Sequence, residues 1–200
     1  MNENSEATMD ESAVREFRPQ LSLYHPSAKG TGCALKLELH PAHGDTDGCI
    51  MMTLAGQKTV GSAFGGPTKF ASFDWEHKIT VKLDFSDICM MLQVFRGECE
   101  TIADGKGLYH TSPAGSTKIV LRHVIEPRLG YMLEAYRNAP GSSGEGLSAR
   151  IMLTTAEAYG IATSFEHSIG IICFGIPKVL PHDVSDYKRK CREMRHVAVA

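Results

Sequence analysis

The chain has 200 residues, a formal net charge of −2 and 42% hydrophobic residues, values typical of a globular protein. No apolar run reaches the eighteen or so residues that a membrane-spanning helix needs, and the first twenty residues lack the basic start and apolar centre of a signal peptide. We therefore expect a cytoplasmic protein, nucleoid-associated if bacterial, with no membrane partner.

Charge is unevenly distributed along the chain. Residues 1–17 carry five acids and one base, whereas residues 188–200 carry five bases and one acid. The pattern predicts a disordered acidic tail over residues 1–17, one domain over residues 18–178 and a basic tail over residues 179–200. Because the net charge is near zero, a basic surface requires the cations to be segregated on particular faces.

The cysteines give no metal or redox motif, since none of the six forms a Cys-x-x-Cys pair. Reduced thiols are expected in a cytoplasmic protein, and a disulfide framework is the alternative. The six are Cys33, Cys49, Cys89, Cys99, Cys173 and Cys191.

Strands dominate the first half. The runs QLSLYHP, CALKLELHP and GCIMMTLAG predict three strands, and the glycine-rich run KTVGSAFGGPTKFAS is either strand or loop. In HKITVKL, apolar residues alternate with polar ones, which predicts a half-buried strand. From Ser86 to Phe95 the apolar spacing changes to three, one and three, which predicts a helix with Ser86 as its N-cap.

A second series of strands is predicted from ECETIAD, GLYHTS, TKIVLRHVIEP, GYMLEAYR and SARIML. The segment after them opens with a capping box, Thr154 and Glu157, and its only charged residue from position 158 to position 176 is Glu166. A helix that is apolar nearly all round is buried on every side, and one small domain of strands could hardly surround it. We therefore expect it in an oligomer interface, at Ile161, Phe165, Ile169 and Ile172.

The two halves match when one is shifted by seventy residues. Val81, Leu83 and Phe95 then coincide with Ile151, Leu153 and Phe165. Each half therefore has the predicted form of several antiparallel strands followed by a helix, and the fold class is α+β.

Two groups of residues could in principle carry chemistry. His40, His43, Asp45 and Asp47 share one short loop with possible metal ligands, but their spacing matches no known site, and a solvated loop is the preferred interpretation. We therefore predict no metal.

A thiol nucleophile is the other candidate. Cys99 could act with His110 or His123, but nothing marks a nucleophile elbow, and a structural cysteine is preferred. Two glycine-rich runs, GSAFGGPTK and GKGLYH, lack the Gly-Lys-Ser/Thr ending of a phosphate-binding loop. We predict a protein that is not an enzyme and has no cofactor.

Basic residues occupy alternate positions on strands whose opposite faces are apolar, and aromatic residues lie within or beside the same strands. A surface of cations and exposed rings suits single-stranded nucleic acid, because cations follow the phosphates and rings stack on bases. The alternative is that the cations keep a solvated face soluble and the rings are core. The cations are Lys36, Lys78, Lys82, Lys118 and Arg122, and the rings are Phe73, Trp75, Tyr109, Tyr131 and Tyr136.

The stretch FDWEHKITVKLDFSDICMMLQV resembles the segment of the Whirly single-stranded-DNA-binding proteins that begins Tyr-Asp-Trp and runs through a lysine-bearing strand into a helix. The stretches KGTGCALKLEL, CETIADGKGLYH, TKIVLRHVIEP, GYMLEAYR and ARIMLTTAEAYGIATSFEHSIGIICFGIP resemble further family segments in the same order. The resemblance covers roughly residues 22 to 177. KGTGCAL has one residue more than the family motif and lacks its second lysine.

The resemblance implies two antiparallel four-stranded sheets, each followed by a helix, in a homotetramer with the helices at its centre. It also implies low-specificity binding of single-stranded DNA in a role such as transcription regulation, with RNA as the alternative because the mitochondrial guide-RNA-binding proteins share the fold. A scaffolding oligomer without nucleic-acid affinity is the other hypothesis. The expected contacts come from Lys29, Lys36, Phe73, Trp75, Lys78, Lys82, Tyr109, Lys118 and Arg122.

Overall fold

The structure is a computed structural model that describes residues 20–62, 69–113, 115–126, 128–139 and 146–176. The predicted tails over residues 1–17 and 179–200 lie outside the described residues. Within the described part, no helix is both long enough and apolar enough to span a bilayer.

Sheet 1 is antiparallel, and the strands predicted in the first half are confirmed. β1 and β2 pair, β2 pairs with β3, and the far side of β3 is shared by β4 at one end and β5 at the other, so the sheet has four strand positions. Its strands are β1 (Gln20–His25), β2 (Cys33–His40), β3 (Cys49–Thr59), β4 (Ser72–Phe73) and β5 (Ile79–Leu83).

Helix α1 (Phe85–Phe95) follows sheet 1 directly, and its N-cap is Asp84 rather than the predicted Ser86. The Asp84 carboxylate accepts a hydrogen bond from the Asp87 backbone N–H, and the Asp87 carboxylate accepts one from the Asp84 N–H, both at 3.0 Å. An aspartate two residues earlier therefore satisfies the helix start, which leaves Ser86 inside the first turn.

The prediction of a strand at ECETIAD is wrong. The chain forms a 3-10 turn, Ile102–Gly105, in which Ala103 and Asp104 have positive φ values of 48° and 52°. Ile102 is buried, and Thr101 makes one isolated bridge to Arg122. The segment therefore anchors a tight turn against sheet 2 instead of adding a strand to it.

Sheet 2 is a four-stranded antiparallel meander, and helix α2 follows it. The predicted capping box is confirmed: the Thr154 side chain accepts from the Glu157 N–H, and the Glu157 carboxylate accepts from the Thr154 N–H. The fold class predicted from the sequence is therefore confirmed. The elements are β6 (Leu108–Ser112), β7 (Gly115–Val124), β8 (Gly130–Asn138), β9 (Leu147–Leu153) and α2 (Thr155–Phe174).

The core lies between the inner faces of the sheets and helices, and the predicted seventy-residue repeat is visible inside it. Phe95 and Phe165, which are equivalent in the repeat, contact each other edge to face with ring centroids 6.4 Å apart. The next pair, Arg96 and Glu166, forms a salt bridge at 2.9 Å. Equivalent residues of the two halves therefore meet each other where α1 packs against α2.

The prediction that Ile161, Phe165, Ile169 and Ile172 of α2 lie in an oligomer interface requires correction. Ile161, Phe165 and Ile172 are each at most 2% exposed in the single chain, because the sheets and α1 cover them. Ile169 is half-buried. These isoleucines and Phe165 are apolar because they form the chain's own core, whereas the helix face exposed in the single chain carries Tyr159.

A histidine from the other half contacts each capping carboxylate. His25 Nε2 on β1 lies 2.7 Å from Glu157 Oε1, and His110 Nε2 on β6 lies 3.3 Å from Asp87 Oδ2. Burial raises the pKa of the Asp87 carboxyl, and the Asp84 N–H and His110 oppose that shift. Each helix start is thus tied to the first strand of the opposite sheet.

Candidate nucleic-acid interface

Three of the predicted cations lie at one outer face of sheet 1. Lys36 on β2 aligns through Thr53 with Thr80, and Lys82 lies two residues beyond Thr80 on β5. Alternation along β5 assigns Lys78, which precedes the strand, to the same face. The opposite face carries the buried aliphatic residues of the core.

These lysines differ in their partners. Lys36 Nζ lies 3.0 Å from Glu38 Oε2, and both side chains are mostly buried. Lys78 and Lys82 are exposed, and neither has a carboxylate partner within the described ranges. Of the three, Lys78 and Lys82 therefore offer uncompensated charge to a phosphate, whereas Lys36 would first have to leave its glutamate.

Aromatic side chains form a cleft of about 490 Å³ at the end of the same face. The predicted Phe73 and Trp75 are joined there by Tyr24 and Phe70, which the sequence reasoning missed. The Tyr24 and Phe73 ring centroids are 5.6 Å apart, and Tyr24 and Phe70 are 55% and 88% exposed. Rings open on one side in this way present faces on which a base can stack.

A short acidic turn positions Trp75. The Asp74 carboxylate accepts hydrogen bonds from the backbone N–H groups of Glu76 and His77, both at 3.2 Å, and lies 2.9 Å from His77 Nδ1. The side-chain and backbone hydrogen bonds from His77 hold the pKa of the Asp74 carboxyl below its usual value. These hydrogen bonds fix the backbone of the turn that carries the Trp75 side chain.

The outer face of sheet 2 carries a second set of rings and cations. Tyr109, Lys118 and Tyr136 lie side by side on β6, β7 and β8. Lys118 Nζ is 5.3 Å from the centre of the Tyr109 ring, and the two tyrosines are 66% and 42% exposed. This row combines a cation and two accessible rings. Lys118 and Tyr109 are among the contacts expected from the sequence, whereas Tyr136 was named only among the rings of these strands.

The positive charge on the rest of this face of sheet 2 is partly neutralised by Glu134. Arg122 lies 3.9 Å from Glu134, and the Tyr136 hydroxyl donates to Glu134 at 3.0 Å. Partial burial and the hydrogen bond to Glu134 raise the pKa of the Tyr136 hydroxyl. Arg150 lies on β9 opposite Glu134 of β8. Its side chain is exposed, and it was not identified from the sequence.

Lys29 precedes a set of residues that line a cleft between the two sheets. It is exposed on the loop that joins β1 to β2. Residues 30–32 of that loop line a cleft together with Gln57 of sheet 1 and with Tyr136 and Arg150 of sheet 2. The sequence suggested one mixed surface, but the structure divides the predicted residues between the two sheets, with Lys29 beside the junction.

Tyr131 belongs to the core instead. Its hydroxyl donates to the Phe95 carbonyl at 3.2 Å, and its ring packs edge to face on Phe95. Its ring also lies beside His123, with ring centroids 5.0 Å apart.

Within the described residues, no hydrogen bond joins Cys99 to His110 or His123, so the geometry of an activated thiol is not formed there.

The possible metal ligands His40, His43, Asp45 and Asp47 do not come together around one point either. Among the described residues, the single group of three or more potential ligand atoms within 4.8 Å of one another is formed by Asp74, Glu76 and His77. This group is engaged in its own turn, and Glu76 also pairs with Lys58 at 3.5 Å. His40 is the last residue of β2, and His43, Asp45 and Asp47 lie on the loop after it.

Comparison with known proteins assigns the fold. No protein-family model and no curated protein matches the sequence. Among solved structures, WHY1 of Arabidopsis thaliana matches 92% of this chain and 94% of its own, with a TM-score of 0.62 and 13% identity. The plant transcriptional regulator PBF-2 matches 78% of this chain and 83% of its own, with a TM-score of 0.57 and 15% identity.

A guide-RNA-binding protein complex bound to a guide RNA also matches. It covers 77% of this chain and 91% of its own, with a TM-score of 0.52 and 14% identity. The chain has the fold of the Whirly and guide-RNA-binding proteins, as its sequence resemblance predicted.

Proposed function

We propose that this chain binds single-stranded nucleic acid with little sequence preference, as an oligomeric regulator or protector of the bound strand. DNA is the favoured ligand and RNA the alternative. The observation that carries the proposal is the outer face of sheet 1, where four rings line one cleft and Lys78 and Lys82 have no acid partner among the described residues. The proposal is for a binding protein and not for an enzyme.

The chemistry of this face matches a single strand better than a duplex. Unpaired bases expose their faces to rings such as Phe73 and Trp75, and each stacked base contributes roughly 1–3 kcal/mol. Lysines contact phosphates and release condensed counterions, which makes binding dependent on salt. Paired bases offer the rings no free faces. The solved structures of this fold include a transcriptional regulator and a complex with guide RNA, which supports nucleic acid as the ligand class.

We also propose that the chain forms a homotetramer through the exposed face of α2. Tyr159 and Phe174 are 76% and 89% exposed on this helix. The Thr163 and Ser164 hydroxyls donate to carbonyls of their own helix, at 3.0 and 2.8 Å. Because these hydroxyls already have acceptors, the face can pack against another chain without leaving polar groups unsatisfied.

The test is fluorescence anisotropy with labelled single-stranded DNA, single-stranded RNA and duplex DNA of equal length, at 50 mM salt and above. We expect both single strands to bind and the duplex to bind much more weakly. Equal affinity for duplex and single strand would exclude the stacking cleft as the determinant.

A scaffolding oligomer without nucleic-acid affinity is the second candidate. It is favoured by the pairing of Lys36 with Glu38 and of Arg122 with Glu134, which neutralises part of both faces. Intact oligomers that bind neither single strand at 50 mM salt would establish this second function in place of the first.

A further inference from the structure

The side chain of Gln57 on β3 is fully used in holding the loop that joins β1 to β2. Its Oε1 accepts hydrogen bonds from the backbone N–H groups of Ser27 at 2.8 Å and Gly32 at 3.0 Å. Its Nε2 donates to the carbonyls of Ser27 at 3.1 Å and Thr59 at 3.0 Å. A primary amide has two donor hydrogens and two acceptor lone pairs, so every hydrogen-bonding position of the Gln57 amide is occupied.

The loop is shaped to receive this amide. Gly30 has a φ of +72°, a conformation that residues with a Cβ rarely adopt. A Cβ at Gly32 would lie 2.3 Å from Gln57 Oε1 and 2.3 Å from the His25 carbonyl oxygen. The Lys29 and Gly30 N–H groups donate back to Ser27, both at 3.1 Å. The glycines thus permit a compact turn, with Lys29 exposed on it and Gln57 beneath it.

Gln57 also lies where the two proposed binding faces approach each other. Gln57 on β3 is the strand-pairing partner of Phe73 on β4, a residue of the aromatic cleft. The Gln57 backbone N–H donates to the Gly32 carbonyl at 2.8 Å. Gln57 lines the cleft of about 540 Å³ that Tyr136 and Arg150 of sheet 2 also line. One residue therefore connects the stacking cleft, the Lys29 loop and the edge of sheet 2.

We propose that Gln57 is a positioning residue of the nucleic-acid surface, which holds the Lys29 loop in place so that a single strand leaving the aromatic cleft meets a fixed cation before it reaches Tyr136 and Arg150. This inference rests on the proposed function. Gln57 is uncharged and acts through Lys29. It keeps the loop ordered before the strand binds, so a phosphate contact from Lys29 does not carry the entropic cost of ordering that loop.

The experiment is a double-mutant cycle of Gln57→Leu and Lys29→Ala, with Kd for single-stranded DNA measured by anisotropy. We expect Gln57→Leu to weaken binding about tenfold in the wild-type background, comparable with the loss of one phosphate contact. It should have little further effect in the Lys29→Ala background, because the loop then has no cation to position. Gln93→Leu, a substitution at an exposed glutamine of α1, is the matched control.

A second readout follows the loop without any ligand. Hydrogen exchange of a peptide covering residues 26–33 should become faster in Gln57→Leu, since the Ser27 and Gly32 amides lose their acceptor, and should be unchanged in Lys29→Ala. Gln57→Glu keeps the acceptor oxygen but loses the two donated hydrogen bonds. It should give an intermediate exchange rate, and it serves the same purpose if the leucine variant does not fold.

The outcomes separate the two proposals. A wild-type chain that binds no single strand overturns the proposed function. A wild-type chain that binds, with Kd effects of Gln57→Leu and Lys29→Ala that are additive, or with unchanged loop exchange, overturns the role of Gln57 alone.

Discussion

His25 and Glu157, 132 positions apart in the sequence, approach to 2.7 Å between Nε2 and Oε1. The contact joins the first strand of sheet 1 to the first turn of the helix that follows sheet 2. Partial burial raises the pKa of the Glu157 carboxyl, but hydrogen bonds from the Thr154 backbone, from His25 and from the Thr154 hydroxyl outweigh it, and the pKa lies below its usual value.

The first prediction concerns the pH dependence of stability. Because the folded-state pKa of Glu157 is below the unfolded value of 4.5, ionisation of Glu157 stabilises the fold above about pH 4.5, and this contribution is lost as the pH falls through the folded-state pKa. Glu157→Gln should lower the free energy of unfolding by about 1 kcal/mol at pH 7, and the difference from wild type should shrink at pH 4 and below. Urea unfolding at several pH values measures it.

Glu100→Gln is the control for this measurement, since Glu100 is an exposed glutamate with no side-chain hydrogen bond or ion pair within the described ranges. A difference between wild type and Glu157→Gln that stays constant from pH 7 to pH 3 would show that the charge of Glu157 does not contribute.

The second prediction separates core from interface on α2. Phe165 is 1% exposed and packs on Phe95, so Phe165→Ala should cost about 3–5 kcal/mol of unfolding free energy through the cavity it leaves. Denaturant titration measures this cost. A loss below about 1 kcal/mol would show that the site is not a packed core position.

The third prediction concerns assembly. Tyr159→Asp places a charge on the exposed face of α2, where burial of an unpaired charge against a second chain would cost several kcal/mol. Light scattering should give four chain masses for wild type and a smaller mass for the variant, with unfolding of the single chain little changed. Gln93→Asp on α1 is the control. A wild-type monomer at micromolar concentration would contradict the homotetramer.

The fourth prediction concerns phosphate contacts on sheet 1. Each contact contributes about −0.7 to the slope of log affinity against log salt for a single strand. Lys78→Ala with Lys82→Ala should therefore flatten the slope by one to two contacts and weaken all sequences about equally. Lys106→Ala with Arg128→Ala removes the same charge from turns of sheet 2. If this control pair lowers the slope as much, the contacts are not specific to the sheet 1 face.

The fifth prediction uses Trp75, the single tryptophan of the chain. Because its indole lines the aromatic cleft, stacking of a base should change its fluorescence when single-stranded DNA is added, and Phe73→Ala or Phe70→Ala should reduce that change together with the affinity. Tyr131→Phe, which alters a core ring, is the control. Binding by anisotropy without any tryptophan signal would locate the strand elsewhere.

The sequence was most informative where side-chain periodicity determines burial. Alternation located β2, β5 and β7, and the seventy-residue match identified Phe95 and Phe165 as equivalent residues, although it did not predict that their rings are in contact. It was least informative at short local features, where two signals compete. Ser86 and Asp84 are both good N-caps, and the carboxylate of Asp87 at the third helical position decides for Asp84.

The candidate site was predictable in composition but not in arrangement. The pairing of Lys36 with Glu38 is predictable from the sequence, because residues two apart on one strand place their side chains on the same face. The placement of Tyr24 and Phe70 beside Phe73 was not available, because it depends on β4 pairing with the far end of β3. Ile161 and Ile172 were misassigned because the apolarity of α2 has two sources, the chain's own core and a face that remains exposed.

The interlocking of the halves makes the order of synthesis matter. α1 packs against β7, and α2 packs against β2, so each helix covers strands of the other half. A ribosome produces sheet 1 and α1 first, and the apolar face of sheet 1 stays uncovered until β9 and α2, which pack against it, have emerged. We expect a chain stalled before residue 147 to be a substrate for chaperones and proteases, with no folded half to release.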